Sequence, residues 1–168
     1  MLYAKSPADL LSSQETLARS GLEFLQQMLA GEVPSPPISE TLGFRVTKVE
    51  LGRVEFRGAP DFASANVMGT VHGGWYGTLL DSAMACAVMT HVPRGSVCTT
   101  LEFKVNILRP IPIGMEIACV GETNHAGGST GVAQGHIKGV ENGTLYATGS
   151  TTCMIMDMAG RKGNRRPA

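Results

Sequence analysis

The sequence lacks an excess of either charge, since its 14 Lys and Arg residues equal its 14 Asp and Glu residues. A nucleic-acid-binding chain of this size would carry a basic excess, so we expect no nucleic-acid partner. Charged residues make up only 17% of the chain and hydrophobic residues 43%. This composition is typical of one compact globular domain and not of a disordered segment.

The sequence also lacks any Cys-x-x-Cys pair. Its four cysteines are Cys86, Cys98, Cys119 and Cys153, and no two of them have the spacing of a zinc or thioredoxin-type site. We therefore predict no metal site and interpret the four residues as buried, reduced thiols. Reduced thiols are typical of a cytoplasmic protein.

Long hydrophobic runs are missing as well. Asp9, Glu15 and Arg19 interrupt any apolar run in the N-terminal region, so we expect no signal peptide there. The longest stretch with little charge covers residues 62–93, and Asp81 divides it. We expect no transmembrane helix and no membrane partner.

Asp81 is the only formal charge in residues 62–93. Apolar and small residues surround it on every side of a helix drawn through residues 79–89, and such a helix is expected to be buried all round. A lone carboxylate there is costly unless it is paired or reaches water, so Asp81 is a candidate for chemistry. The alternative is a structural carboxylate that caps a backbone or pairs with an interface cation.

The sequence outside this helix divides the chain into three parts. Ser6 to Leu29 reads as one amphipathic helix, and Pro34 to Pro37 form an extended linker. We predict an N-terminal helix and Pro-rich linker in residues 1–37, a main domain in 38–160 and a basic tail in 161–168.

Alternating and apolar runs predict six strands, two before the long helix and four after it. Because the late connections are short, the strands should be antiparallel, and a curled sheet would best bury one apolar helix. The fold class is therefore α+β. The predicted strands are residues 45–50, 54–59, 100–107, 115–123, 130–140 and 145–156.

Asn66, the run His72-Gly73-Gly74 and Asp81 stand at spacings that resemble the hotdog-fold acyl-CoA thioesterases. The branch related to the phenylacetate-pathway thioesterase PaaI is the most similar. The likeness spans about residues 38–157 and includes the segments 41–44 and 101–110. It implies an antiparallel sheet wrapped around one central helix.

The resemblance further implies hydrolysis of an acyl-CoA, with an aryl or medium-chain acyl group, to a carboxylic acid and free CoA. No cofactor is implied, because CoA is part of the substrate. By position, Asp81 matches the nucleophile or general base, and Gly73 matches the backbone N–H that polarises the carbonyl. Asn66 matches a polar group near the reacting atoms, and Thr100 a hydroxyl that helps to hold the attacking water. A homodimer with shared active sites, paired into a tetramer, is also implied.

Other residues near this motif have weaker assignments. His72 precedes the helix, which favours anchoring the loop over acting as a base. Asn66 could equally be a turn residue, and Thr100 could reflect strand propensity alone. We expect Gly74 and Trp75 to contact the substrate, although Trp75 could simply fill the core.

Binding of the CoA phosphates requires Arg or Lys. Arg109 follows the long strand and is the first candidate. The loop at residues 125–129 contains no Lys or Arg, so Lys138, Arg161 or Lys162 could contribute instead.

Independently of the family resemblance, the spacing of Gly73 and Asp81 predicts a dimer. Eight residues of continuous helix span about 12 Å, so one carbonyl cannot touch both groups. A working site would then take Gly73 from one subunit and Asp81 from another.

Two other functions remain open at this point. A hydratase or dehydratase of acyl thioesters would pair a loop histidine with a helix acid, and His72 and Asp81 could fill those roles. A non-catalytic acyl-CoA-binding protein would need neither group to react.

Overall fold

The computed structural model of the chain describes residues 2–158, and the predicted basic tail at 161–168 lies outside this range. Six strands form one antiparallel sheet, as predicted, in the order β1-β2-β4-β5-β6-β3. The strands are β1 Phe44–Glu50, β2 Arg53–Gly58, β3 Ser96–Ile107, β4 Ile117–Ala126, β5 Thr130–Gly139 and β6 Leu145–Asp157.

The central helix, α4, runs without a break over Gly73–Met89 and packs against β2 to β6. Glycines in the strands let it approach closely. A Cβ at Gly121 would lie 2.2 Å from the backbone oxygen of Ala83, and one at Gly131 would lie 2.3 Å from Val88 Cγ1. The sheet and α4 therefore share one tightly packed core. Within residues 2–158, no helix combines the length and apolar character needed to cross a membrane.

The prediction that α4 is buried on every side is wrong for a single chain. Asp81, Ser82 and Ala85 are only half-buried, and Gly74 is exposed, so one stripe of the helix faces away from the sheet. This stripe is open because β3 is an edge strand of the sheet, and no further strand from residues 2–158 covers that side.

The single N-terminal helix predicted over residues 6–29 is also wrong, because serine caps divide the segment. Ser12 and Ser20 each accept a hydrogen bond from the N–H three residues later, which starts a new helix at each point. Gly21 packs so closely on the end of α4 that a Cβ there would lie 1.9 Å from Met89 O. The helices are a 3-10 turn at Pro7–Asp9, α1 Ser13–Leu17, α2 Gly21–Ala30 and α3 Pro37–Thr41.

Candidate active site

A hydrogen bond joins the central helix α4 to β3, the strand at one edge of the sheet. Thr100 Oγ1 donates to Asp81 Oδ1 at 2.8 Å, and both residues are half-buried. No ion pair with Asp81 occurs within residues 2–158. Asp81 is therefore a carboxylate that is oriented by one hydroxyl, not neutralised by a cation, and partly open to solvent.

The first turn of α4 lies at the other end of the same helix. His72 is the N-cap, and its Nδ1 accepts the N–H of Gly74 at 2.9 Å. His72 O accepts the N–H of Trp75 at 3.0 Å. The Gly73 N–H donates to no group in the described part of the chain. Gly73 is exposed, so its N–H is available to an anionic oxygen at the positive end of the helix dipole.

Asn66 organises the loop that leads into α4. Its Oδ1 accepts the N–H groups of Met68 and Thr70 at 2.9 and 3.3 Å, and its Nδ2 donates to Thr70 Oγ1 at 2.9 Å. These bonds form a closed turn. In one chain the structure thus places Asn66 as a turn residue and keeps it apart from the Asp81 carboxylate.

The strand β3 lies alongside α4 between these two groups, and we call this line of contact the α4–β3 seam. Thr100 meets Asp81 at one end. At the other end, Ile107 Cδ1 lies 3.5 Å from where a Cβ of Gly73 would be. Midway, Phe103 Cε2 lies 3.4 Å from the Cβ position of Gly77.

The seam is open to solvent, although its side chains are large and apolar. Phe103 is 45% exposed and Ile107 is 48% exposed. Since α4 is continuous, Gly73 and Asp81 stand about 12 Å apart along it. The structure therefore brings Thr100 to Asp81 and His72 to Gly74, but it leaves the two pairs at opposite ends of the seam.

The predicted substrate-binding residues differ in their surroundings. Gly74 is exposed beside His72. Trp75 is only 3% exposed, and its indole N–H donates to Leu42 O at 3.0 Å, so it fills the core. Arg109 is exposed and donates from Nη1 to Leu145 O at 2.8 Å.

Arg109 lies near the start of α4. Tyr76, in the first turn, accepts the N–H of Ile111 at 2.8 Å, which holds the segment after β3 against that turn. Lys138 is exposed on β5. Arg161 and Lys162 lie outside the described residues.

Three thiols surround the Asp81–Thr100 pair, a grouping that sequence reasoning did not find. Cys153 is fully buried directly opposite Thr100 in the pairing of β3 with β6. Burial raises the pKa of Cys98 to about 11 and that of Cys86 to about 12. Protonated thiols are poor nucleophiles, so these residues line the site without competing with the carboxylate. The cluster forms only when β3 pairs with β6 and packs against α4, because Cys86, Cys98 and Cys153 are far apart in the sequence.

Metal ligands are not grouped in the described residues: no three His, Cys, Asp or Glu side chains lie together there in an arrangement that could hold an ion.

Comparison with known proteins gives a consistent result. Residues 68–146 match the thioesterase superfamily. A phenylacetic acid degradation-related thioesterase from Ralstonia eutropha JMP134 is 30% identical, with 78% of this chain and 98% of that chain covered and a TM-score of 0.71. A thioesterase family protein from Silicibacter pomeroyi is 29% identical, with 79% and 98% covered and a TM-score of 0.70.

A more distant structure shows the same fold. The hypothetical thioesterase from Streptococcus pneumoniae TIGR4, solved with coenzyme A, is 22% identical, with 70% and 91% covered and a TM-score of 0.63. No curated protein matches the chain.

The chain belongs to the thioesterase superfamily and has the hotdog fold, in which one antiparallel sheet surrounds a central helix. It is a thioester hydrolase whose structural relatives include the phenylacetic acid degradation-related thioesterases. The family and fold predicted from the spacing of Asn66, His72-Gly73-Gly74 and Asp81 are confirmed.

Proposed function

We propose that the protein hydrolyses an acyl-CoA thioester with an aryl or medium-chain acyl group, giving a carboxylic acid and free CoA. The observation that carries this proposal is the Asp81 carboxylate, which is half-exposed on the open α4–β3 seam and oriented by the Thr100 hydroxyl. The Streptococcus relative solved with coenzyme A supports CoA as the thiol component.

In the general-base route, Asp81 removes a proton from water while the water oxygen attacks the thioester carbonyl carbon. The carbonyl oxygen becomes negative and accepts the Gly73 N–H. The tetrahedral intermediate then collapses, the C–S bond breaks, and the CoA thiolate takes the proton from Asp81.

In the nucleophilic route, an Asp81 oxygen attacks the same carbon and displaces CoA. Water then hydrolyses the resulting mixed anhydride, which frees the acid and regenerates the carboxylate. In single-turnover hydrolysis in heavy-oxygen water, label in Asp81 identifies the nucleophilic route with water attack on the Asp81 carbonyl of the anhydride, because the general-base route places label only in the product acid.

Two subunits are needed for either route. In one chain Gly73 and Asp81 are too far apart to meet at one carbonyl, whereas a second copy can supply the missing group. A two-fold exchange that brings Gly73 to the partner's Asp81 must be centred midway between them, at Gly77. Gly77 contacts Phe103, so we place the dimer axis near Phe103 on the free edge of β3.

The edge of β3 has the properties that such an interface requires. It has no neighbouring strand on one side in the described chain. Leu101, Phe103 and Ile107 are 57%, 45% and 48% exposed along it. Unpaired strand edges with exposed apolar side chains readily pair with another chain. The tetramer implied by the family resemblance stays a prediction.

We assign supporting roles to the residues at the start of α4. His72 holds the Gly74 N–H and so fixes the turn that presents the Gly73 N–H. Asn66 shapes the preceding loop, and the missing side chain of Gly74 leaves room for the arm of CoA. Arg109 is the candidate for the CoA phosphates. We leave Trp75 out of the proposed pocket because it lies in the core.

The direct test follows release of free thiol from hexanoyl-, benzoyl- and phenylacetyl-CoA. We expect turnover by the wild type and a loss of about 100-fold or more in kcat for Asp81→Asn. Glu50→Gln, which neutralises an exposed carboxylate on β1, is the control and should keep full activity. Thiol release that is unchanged in Asp81→Asn would overturn the proposal.

Adding an enoyl-CoA substrate and a thermal melt with acyl-CoA to this experiment separates the other two functions. Loss of an enoyl-CoA double bond without thiol release would identify a hydratase. Thermal stabilisation by acyl-CoA without any turnover would identify a binding protein.

A further inference from the structure

A cavity of about 170 Å³ lies between the N-terminal helices, the end of α4 and the start of β3. Thr16, Arg19 and Phe24 line it from the N-terminal segment, and Met89, Val97 and Cys98 line it from the fold around α4. The family match begins at residue 68, so α1 and α2 lie outside the matched segment.

The cavity lies beyond the Asp81 end of the α4–β3 seam. Asp81, Ala85 and Met89 are spaced four residues apart, so they share one face of α4. On β3, Cys98 and Thr100 point to the same side, about 7 Å apart. Ala85, midway between Asp81 and Met89 on this face, is small and half-buried, and Met89 stands about 12 Å from Asp81 along the helix.

Arg19 places a positive charge at the cavity. It is half-buried, its Nε donates to Gln27 Oε1 at 2.7 Å, and its Nη1 donates to Glu15 O at 2.5 Å. Both acceptors are neutral, and no Arg19 salt bridge within 4.0 Å occurs in residues 2–158, although the Arg19 charge helps to lower the pKa of the nearby Glu15 carboxylate. A guanidinium has five N–H donors, so the Nη2 group remains able to bind a further acceptor.

The rest of the lining suits a carbon skeleton. Phe24, Met89 and Val97 are apolar, and the thiol of Cys98 is neutral because burial raises its pKa to about 11. A mostly apolar pocket with a few polar groups is the usual form of a small-molecule site. The volume is close to that of an engineered cavity of roughly 150 Å³ that binds benzene, so about six carbons fit.

We infer that this cavity receives the far end of the acyl group and that Arg19 binds a carboxylate there. The inference rests on the proposed function and narrows its substrate class to acyl-CoAs of about ten carbons with an anionic end, because the chain must span the roughly 12 Å of helix between Asp81 and Met89. Arg19 acts in it as a specificity-determining residue from the N-terminal segment.

The first test compares kcat/KM for sebacyl-CoA, a ten-carbon group that ends in a carboxylate, with that for decanoyl-CoA, which has the same length and no charge. We expect the wild type to prefer sebacyl-CoA and Arg19→Met to lower this preference about tenfold. Arg45→Met, which removes an exposed cation on β1, is the matched control and should leave the ratio unchanged. A ratio that is equal in wild type and Arg19→Met would overturn the inference.

The second test fills the cavity. Phe24→Trp should raise KM for sebacyl-CoA and leave KM for acetyl-CoA unchanged, because a two-carbon group does not reach α2. Equal effects on both substrates would contradict the placement of the acyl group.

A binding measurement keeps the inference separable from the proposed function. If no acyl-CoA is hydrolysed, the proposed function fails, but free adipate still tests the cavity. A rise in melting temperature with adipate that Arg19→Met abolishes would support the site. No rise in either protein would overturn it.

Discussion

The Thr100 hydroxyl donates a hydrogen bond to Asp81 Oδ1 at 2.8 Å, and the two residues are 19 positions apart in the sequence. The bond ties the free edge of the sheet to the one charged residue of the central helix. It holds one carboxylate oxygen and leaves the other able to accept a proton or attack a carbonyl. In the proposed mechanism, the hydrogen bond therefore orients the base within one subunit, and a second subunit holds the thioester that it acts on.

Removing the Thr100 hydroxyl should disorient the carboxylate. We expect Thr100→Val to lower kcat by about tenfold or more, because a hydrogen bond to a charged group is lost, and Thr100→Ser to retain most activity. Thr99→Val is the matched control, since Thr99 is exposed on the other face of the same strand. Equal rates for the Thr100 and Thr99 valine variants would remove Thr100 from the mechanism. The measurement is thiol release at saturating substrate.

A proline at position 73 would remove the backbone N–H of that residue with little other change to the helix. Gly73 is the first residue of α4, where proline is well tolerated, and His72 before it has φ −64° and ψ 139°, a conformation compatible with a following proline. We expect Gly73→Pro to lower kcat by about 100-fold or more, as loss of an oxyanion donor does.

Gly73→Ala is the control because it keeps the N–H. Its Cβ would make an ordinary contact, 3.5 Å from Ile107 Cδ1. Similar losses in the alanine and proline variants would show that bulk, not the donor, matters at this position.

His72 should stabilise the helix without carrying a proton in the reaction. Its Nδ1 caps the Gly74 N–H, so His72→Ala should lower the free energy of unfolding by about 1 kcal/mol. His72→Asn should restore the cap and, with it, most of the activity. Denaturant melts and kcat measured together decide this: a stable asparagine variant without activity would make His72 a catalytic residue.

His136 should make the fold less stable in mild acid. Burial lowers its pKa from the ordinary value of 6.5, and the Lys138 charge lowers it further. Below about pH 6.5 the unfolded chain therefore binds a proton that the folded chain resists, so stability falls as the pH falls through this range. Above about pH 6.5, His136 is neutral in both the folded and the unfolded chain, so its titration no longer lowers the free energy of unfolding.

His136→Gln removes this titration. The free energy of unfolding, measured by denaturant at about pH 8 and pH 5, should fall less in this variant than in the wild type. An equal fall in both proteins would show that His136 does not contribute.

Much of the fold could be predicted because local patterns and packing agree. The alternation of residues 100–107 and the turn at Asn142-Gly143 both fall within the strands and hairpin observed. The N-terminal helices were missed, although Ser12 with Glu15 and Ser20 with Glu23 have the Ser-x-x-Glu spacing of capping boxes. The leucine spacing suggested one helix and hid these signals.

The site could be predicted only in part. The approach of Thr100 to Asp81 depends on the bulge after Thr100, a register feature that one sequence does not reveal. The half-exposure of α4 depends on β3 being an edge strand, and strand order is a property of the whole sheet. Arg19 reaches its cavity only because Gly21 lets α2 pack on the end of α4.

The central claim is that each active site combines Asp81 of one subunit with the Gly73 N–H of the other. Asp81→Asn and Gly73→Pro, co-expressed with different tags and purified as the mixed dimer, test it by thiol release. We predict that each homodimeric variant is inactive and that the mixed dimer regains one intact site. A mixed dimer as inactive as its parents would show that both groups act within one chain and would contradict the account.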